Sequence, residues 1–436
     1  MRMRNDLKAA LHSAGHAQLL PIQEETILAF EAHNEVILQS ATGSGKTLAF
    51  LLSILSKIDR NSPNIQAIVI APTRELCLQI DAVFRSMKSG VKLSTCYGGH
   101  KMSDEKNSLA ENPLVVIGTP GRLLDHLHRR NMDLRSTALL VIDEFDKCLE
   151  LGFSEEMSEI LNNLSNLEQK LLTSATEMEE IPSYLRMTRP LYVKGNVVEA
   201  LTITEWAVKV KRDIFQTLAD TIGSFENEKV VVFVNYREVS DDISDRLWDL
   251  GIHNVSYHGG LEQEDRERAL IKFTNGTANV LVCTDLGARG LDIPDVKHII
   301  HYQYPGSEDA YIHRKGRTGR MGAEGNSYLF TSEETQLPEY IELPEKQFTP
   351  KSNYDVTLPF WETLYISGGK KEKINKIDIV GFLSKIGGLK QSDIGLIHVK
   401  DHQSYVAVNR DRMGRLLSKI RDQKIKGKKM RFAKCR

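Results

Sequence analysis

The chain has 436 residues, with 57 Lys and Arg against 58 Asp and Glu, a net charge of −1, and 41% hydrophobic residues. That apolar fraction is enough for packed cores and excludes global disorder, and at ~150 residues per domain the length suggests about three domains. No apolar run approaches the ~18 residues of a membrane span, the polar N-terminal stretch lacks a secretory apolar segment, and the five cysteines (Cys77, Cys96, Cys148, Cys283, Cys435) form no CxxC pair. The expectation is a soluble cytoplasmic protein without a membrane, a zinc site or a disulfide scaffold.

Up to about residue 330, short apolar runs rich in β-branched residues alternate with longer helical stretches. Val36-Ile37-Leu38, Ala67–Ile70, Val115-Val116-Ile117 and Leu139–Ile142 form one set; Lys229–Val234, Val280–Val282 and His298–Ile300 form a second. Such alternation predicts α/β units with buried parallel strands. The stretch Val193–Trp206 shows no clear period and places a boundary near residue 200. Thr331–Pro359 holds Pro338, Pro344, Pro350 and Pro359 among many charges and reads as an exposed connector. Beyond it, strands at Thr363–Ile366 and Ser404–Val408 and helices at Asp378–Ile386 and Met413–Ile420 fit a βαββαβ order, that of a small RRM-like α+β domain. The domains expected are residues 1–200, 201–335 and 361–436, with 336–360 as linker.

Charge separates along the chain. Residues 361–436 carry +12 and the rest −13, and Lys424–Arg436 holds seven positive charges and no negative one. A polyanion partner or a solvated basic tail both fit.

Three motifs carry chemistry. Between the predicted strand Glu35–Gln39 and the predicted helix Lys46–Ile58 sits Ser40-Ala41-Thr42-Gly43-Ser44-Gly45-Lys46-Thr47. Gly43 and Gly45 allow backbone N–H groups to close on phosphate oxygens, Lys46 can reach the β/γ-phosphates, and the Thr47 hydroxyl can ligate Mg²⁺. Ser40 stands where the strict pattern has Gly. About 100 residues on, Asp143-Glu144-Phe145-Asp146 follows an apolar run; a carboxylate there lies in the ligand crevice of a parallel sheet. Asp143 can hold the metal and Glu144 can orient and deprotonate a water. Late in the second unit, His313-Arg314-Lys315-Gly316-Arg317-Thr318-Gly319-Arg320 is either a solvated basic turn or a set of arginines aimed at a transferring phosphate.

These elements, in this order, resemble the DEAD-box family of superfamily 2 RNA helicases. Leu20-Pro21-Ile22-Gln23, Ala71-Pro72-Thr73-Arg74-Glu75-Leu76, Gly98-Gly99, Thr119-Pro120-Gly121-Arg122, Ser174-Ala175-Thr176, Val232–Asn235, His258-Gly259 with Gln263 and Arg266, Thr284-Asp285 and Ala288-Arg289-Gly290-Leu291-Asp292 carry the resemblance further. It implies two tandem RecA-like domains and RNA-stimulated ATP hydrolysis with Mg²⁺, coupled to local unwinding of structured RNA. The resemblance assigns ATP binding to Gln23, which reads adenine, to Thr42, Gly43, Ser44, Gly45, Lys46 and Thr47, and to Gly290 and Asp292. Catalysis falls to Lys46, Glu144, His313, Arg317 and Arg320, with Thr47 and Asp143 on the metal. Asp146, Ser174 and Thr176 couple ATP state to domain closure. Pro72, Arg74, Gly99, Thr119, Arg122, Gln263, Arg266 and Thr284 line an RNA groove.

Three departures stand out. Phe145 replaces the family's alanine. The family's adenine-stacking aromatic lies upstream of the Gln motif, where the chain is expected to start too late to supply it, and His16 and Leu19-Leu20 replace the motif's own aromatic and Pro-Thr, so looser adenine selectivity is expected. Lys315 replaces an apolar residue. The last domain is similar to the RNA-binding domain of DbpA-type helicases, on Gly368-Gly369-Lys370-Lys371-Glu372-Lys373-Ile374 and Lys424–Lys429. That likeness implies a large-subunit ribosomal RNA or pre-ribosomal target and a role in ribosome assembly. Tyr405 is the one aromatic of the predicted third strand, so RNA is expected at Lys370, Lys371, Lys373, Lys426, Lys428 and Lys429 rather than across the sheet. A monomer is expected. The rival functions are an ATP-gated RNA clamp or annealer with little unwinding, a DNA-directed helicase, and an ATPase crippled by Phe145.

Overall fold

The computed structural model describes residues 3–40, 44–99, 101–176, 180–195, 202–211, 213–285, 296–319, 324–332, 336–352 and 355–435. These form two compact units, residues 3–195 and residues 202–435. Among the described residues, no helix is long and apolar enough to cross a membrane.

The first unit is built on β1 (Glu35–Gln39), β2 (Ala67–Ile70), β3 (Leu93–Cys96), β4 (Val115–Gly118), β5 (Leu139–Ile142), β6 (Gln169–Ser174) and β7 (Leu191–Lys194). They order as β3-β4-β2-β5-β6-β1-β7, each pair parallel. The central strands β2, β4 and β5 are buried at every position because helices cover both faces, which is why they read as unbroken apolar runs. One core lies on each side of the sheet, the first around Phe30, Phe50 and Leu51, the second around Leu123, Phe145 and Met157.

The second unit holds a similar sheet of β8 (Thr202–Lys209), β9 (Lys229–Val234), β10 (Asn254–Tyr257), β11 (Val280–Thr284), β12 (Val296–His301), β13 (Glu324–Thr331) and β14 (Lys346–Gln347). Its order is β10-β11-β9-β12-β13-β8-β14, again parallel. The stretch without a readable period holds the end of β7 and the first part of β8. β7 buries only Val193, and β8 buries mainly Ala207 and Val208, so neither shows a clean alternation.

The connector expected to be exposed is partly packed. Ile341 is buried against Tyr311 and Leu329, the Tyr340 hydroxyl donates to the Pro305 carbonyl, and β14 adds to the sheet beside β8. Phe348 then meets Trp206, Phe225 and Tyr328 edge-on or tilted. Prolines bar regular helix here, but the aromatic and aliphatic residues between them still gain by burial.

The last sheet comprises β15 (Trp361–Ile366), β16 (Ile394–Val399), β17 (Ser404–Asn409) and β20 (Phe432–Lys434), ordered β16-β17-β15-β20 and antiparallel. Helices Lys376–Lys385 and Arg410–Ile420 cover one face with Ile379, Leu383, Met413 and Leu416. β18 (Lys424–Ile425) and β19 (Lys428–Lys429) form a hairpin. Its turn, Lys426-Gly427, has both φ angles positive, +49° and +76°, as a two-residue hairpin requires.

Candidate nucleotide and RNA sites

In a parallel sheet the carboxyl ends of the strands share one edge, and ligands bind there. In the first unit this edge divides. The loops after β1, β5 and β6, neighbours in the sheet, carry Gly45-Lys46-Thr47, Asp143–Asp146 and Ser174-Ala175-Thr176. The loops after β3, β4 and β2, the other three neighbours, carry Gly99, Thr119 and Arg122, and Pro72 and Arg74. Sequence spacing alone did not reveal that the residues expected to hold phosphate and those expected to line the RNA groove fall on separate halves of the edge, a phosphate half and a groove half by that expectation.

On the phosphate half, Gly45 has φ +87° and precedes helix Lys46–Lys57, so the N-terminal N–H groups of that helix face the loop. An added Cβ on Gly45 would lie 2.3 Å from Gln23 Nε2, which bars side chains there. Gln23 is buried; its Nε2 donates to the Gly45 carbonyl at 3.1 Å and its Oε1 accepts from Leu20 N–H at 2.9 Å. Its amide thus braces the loop. Lys46 is buried and spans from the Ser40 carbonyl to the Ser174 carbonyl, the latter at 3.5 Å. Ser44 and Thr47 are half-buried beside it. Thr42 and Gly43 lie outside the described residues.

Asp143 is buried, and burial pushes its carboxyl above the usual range, with the Thr173 hydroxyl and the Lys46 ammonium partly offsetting that. Thr173 was not foreseen. Its hydroxyl donates to Asp143 Oδ1 and accepts from the Glu144 N–H at 3.1 Å, tying both acidic residues to β6. Its place next to Ser174-Ala175-Thr176 was the available signal. Glu144 has φ +49°, a left-handed backbone that costs a non-glycine residue ~1–3 kcal/mol and persists only where surroundings impose it. Phe145, directly after it, is fully buried among Ile142, Cys148 and Leu172, so the bulky ring points into the core. Thr176 Oγ1 donates to Asp146 Oδ2 at 3.1 Å, and the Ala175 N–H reaches the same oxygen at 3.3 Å. Ser174 bonds the Thr176 backbone instead of Asp146. A buried carboxylate and a hydroxyl at a helix N-terminus make an all-oxygen donor set that suits a hard divalent cation.

On the groove half, Arg74 stacks over Tyr97 at 4.7 Å and reaches the Gly98 carbonyl at 3.5 Å. Arg122 Nε donates to Glu105 Oε2 at 2.6 Å, and buried His126 shares that oxygen at 2.8 Å. Burial raises the Glu105 carboxyl, but His126, the Tyr97 N–H and Arg122 outweigh it and hold the group below its ordinary value. Cys96 is close enough to Glu105 and His126 to complete a three-ligand cluster. Arg122 already neutralises Glu105, and burial pushes the Cys96 thiol up to about 12, so the cluster reads as an ionic brace for Arg122. No local pattern marked Glu105.

In the second unit, Gln263 opens helix Gln263–Thr274, and Arg266 on it lies over Tyr257 at 5.4 Å. Thr284 ends β11 and is buried. Within the arginine element the roles separate. Arg314 is fully buried: it grips Asp285 with two nitrogens at 2.6 and 2.7 Å, the Gln303 carbonyl at 2.6 Å and Asn235 Oδ1 at 2.8 Å, and lies 5.0 Å over Phe233. It clamps the ends of β9, β11 and β12 together. Lys315 pairs with Glu205 on β8 at 2.8 Å and covers the Tyr311 ring at 4.3 Å, which accounts for a cation at an apolar position. His313 and Arg317 are mostly buried in the same turn. Gly290, Asp292 and Arg320 lie outside the described residues.

In the last domain, Lys370 and Lys371 lie on a 3₁₀ turn that Lys373 caps. Lys426 Nζ bonds Asp378 at 2.7 Å and the Lys373 carbonyl at 3.1 Å, and Lys428 Nζ bonds the Glu372 carbonyl at 3.1 Å. These bonds fold the β18–β19 hairpin onto the 3₁₀ turn. Lys370, Lys371, Lys373 and Lys429 stay exposed, so one basic surface gathers residues more than 50 positions apart.

Fold and site together define a P-loop ATPase on tandem RecA-like sheets with an appended small α+β domain. Residues 20–182 match the DEAD/DEAH box helicase family, residues 213–322 the helicase conserved C-terminal domain and residues 363–434 the DbpA RNA binding domain. The chain is 34% identical to the ATP-dependent RNA helicase DbpA of Escherichia coli (97% of this chain, 95% of that one). It is 30% identical to the DbpA of Bacillus subtilis (100% and 98%). Among solved structures, S. cerevisiae Dbp5 bound to RNA and ADP BeF3 is similar at a TM-score of 0.71 and 25% identity, covering 80% of this chain and 94% of that one. Mss116p bound to ssRNA and AMP-PNP is similar at 0.70 and 25%, covering 80% and 78%. The chain belongs to the DEAD-box ATP-dependent RNA helicases: it is an RNA-binding ATP hydrolase of that family.

Proposed function

We infer that this protein uses ATP hydrolysis to part short duplexes in structured RNA, specifically large-subunit ribosomal RNA in pre-ribosomal particles, in the cytoplasm and as a monomer. The observation that carries the rRNA target is the basic surface of the third domain joined to a helicase core, together with full-length likeness to proteins named DbpA. Lys46 would hold the β/γ-phosphates, and Thr47 and Asp143 would hold Mg²⁺, which supplies charge neutralisation on the triphosphate. Glu144, fixed by Thr173, would take the proton of the attacking water. Arg317, and Arg320 with it, would stabilise charge on the transferring phosphoryl group. His313 would bridge toward Asp143-Glu144, Gly290 and Asp292 would touch the nucleotide, and Gln23 would meet adenine. Pro72, Arg74, Gly99, Thr119, Arg122, Gln263, Arg266 and Thr284 would hold phosphate and ribose, largely blind to sequence.

Crosslinking of bound RNA in cells followed by sequencing tests the target. Enrichment of large-subunit rRNA is expected; reads scattered over messenger RNA would remove the rRNA assignment. Strand displacement tests the motor: RNA-stimulated ATPase without displacement would replace unwinding by an ATP-gated clamp.

A further inference from the structure

In a βαββαβ sheet of the RRM kind, the face without helices is the one on which bases stack. Here that face holds Thr363 and Tyr365 of β15, His398 of β16, Tyr405 and Ala407 of β17 and Ala433 of β20, as the strand registers set out. It is not open. Thr363 is 0% exposed, Ala407 1% and Tyr405 2%, and the covering element is the second RecA-like domain. Thr277 Oγ1 meets Thr363 Oγ1 at 2.6 Å, and Asn275 Nδ2 donates to the same oxygen at 3.2 Å. His398 Nε2 donates to Asn275 Oδ1 at 3.1 Å, and Arg410 reaches the Thr277 carbonyl at 3.4 Å. Lys400 pairs with Glu267 at 3.5 Å. Gly276 has φ +71°, and a Cβ there would lie 3.3 Å from the Trp361 ring.

Asn275, Gly276 and Thr277 directly follow helix Gln263–Thr274, whose first turn carries Gln263 and Arg266 of the predicted RNA groove. One helix therefore carries groove residues at its start and the third domain at its end. The contacts are polar pairs with matched donors and acceptors, buried at Asn275, Thr277 and Thr363 and part-buried around them, which fix orientation more than they add affinity.

We propose that the helix-free sheet face of the third domain is a docking face for the end of helix Gln263–Thr274, not a base-stacking face. The dock holds RNA gripped by the basic hairpin at a set register from Gln263 and Arg266. The second half of this statement rests on the rRNA reading above.

The test uses the full chain and Thr277→Arg, which drives a charge into the buried pair with Thr363. Thr277→Ser is the conservative control, and Asn275→Ala is a second disrupting variant. The third domain keeps its own core. Thiol labelling of Cys435, which sits at the end of β20 beside Lys272 and Arg268 of that helix, reads docking without RNA. Cys77, Cys96, Cys148 and Cys283 are buried in the two RecA-like domains. Labelling should accelerate about tenfold or more in Thr277→Arg and stay unchanged in Thr277→Ser. Displacement of a short duplex joined to large-subunit rRNA fragments through spacers of stepwise length should depend sharply on spacer length in the wild type. In Thr277→Arg that dependence should vanish, while ATPase stimulated by unstructured RNA stays unchanged.

Unchanged labelling in both disrupting variants overturns the dock, and so do photocrosslinks from RNA bases to Tyr365 or Tyr405 in the wild type. Accelerated labelling with an unaltered spacer dependence overturns the register. If no rRNA fragment binds, the target reading fails, and the labelling result still decides the dock.

Discussion

Phe145→Ala restores the residue that the family resemblance led us to expect after Asp-Glu, and it should nevertheless harm this protein. Phe145 is fully buried against Ile142, Cys148 and Leu172. Truncating such a ring removes its transfer free energy and leaves a cavity, for a typical cost of ~3–5 kcal/mol. The ring's neighbours come from two sheet strands, β5 and β6, and from the helix Phe145–Glu150, which collapse poorly, so the figure to expect is about 4 kcal/mol. In a domain of roughly 200 residues each kcal/mol shifts Tm by ~2–4 °C, so the first transition should fall by about 8–16 °C. Phe145→Leu keeps most of the volume and should cost ~1 kcal/mol. The same substitution bears on chemistry. Glu144 has a left-handed backbone, its N–H is held by Thr173, and the buried Phe145 opens the helix that follows. Turnover should therefore drop more in Phe145→Ala than in Phe145→Leu. Urea and thermal unfolding of the full chain, with ATPase rates below the transition, read both. If Phe145→Ala proves neutral or stabilising, the ring does not fill the core as described and the expected loss of turnover fails with it.

Three further outcomes follow from the geometry. Glu105→Ala leaves Arg122 and buried His126 without their shared carboxylate and should destabilise the first unit by ~3–5 kcal/mol; by releasing Arg122 it should also weaken RNA binding in equilibrium titrations while nucleotide affinity holds. Replacing Lys370, Lys371 and Lys373 by Ala should lower RNA affinity and flatten the plot of log K against log salt by ~0.7–0.9 for each phosphate no longer neutralised; an unchanged slope would clear that surface of RNA. His398 is neutral in the docked state, with its value pushed down to about 4 by burial and by Lys400 and Lys376. A released imidazole titrates near ~6.5 and takes up its proton first. Docking stability is therefore full above about pH 6.5 and declines as pH falls toward 4. Denaturant midpoints followed by Trp361 fluorescence should show that slope, and His398→Gln should remove it.

What the residues reveal in order is what depends on near neighbours. The buried parallel strands announce themselves because both faces are covered, so Ala67–Ile70 or Lys229–Val234 need no partner to be recognised. The phosphate loop and the Asp-Glu pair are local for the same reason. Missed features are those created by pairing across the chain. Lys315 makes sense only beside Glu205, 110 positions earlier. Arg314 looks like one arginine of several until Asp285, Asn235 and the Gln303 carbonyl close around it. Glu105 carries no pattern at all, since Arg122 and His126 arrive from another helix. β7 and β8 escape because partial burial blurs their alternation, and the connector reads as solvated because its prolines and charges outnumber the few side chains, such as Ile341 and Phe348, that hold it down. The covered sheet face was half visible: the shortage of aromatics argued against base stacking, but nothing in the order of residues named what lies there instead.

The proposed function requires that one triphosphate be acted on by both Glu144 and Arg317, with RNA needed for both to act. RNA-stimulated ATP turnover of the wild type, Glu144→Gln and Arg317→Ala, measured beside nucleotide affinity, tests it most directly. Each single variant should lose about a hundredfold or more in turnover while still binding ATP. RNA-stimulated hydrolysis at the wild-type rate in Arg317→Ala would contradict the account.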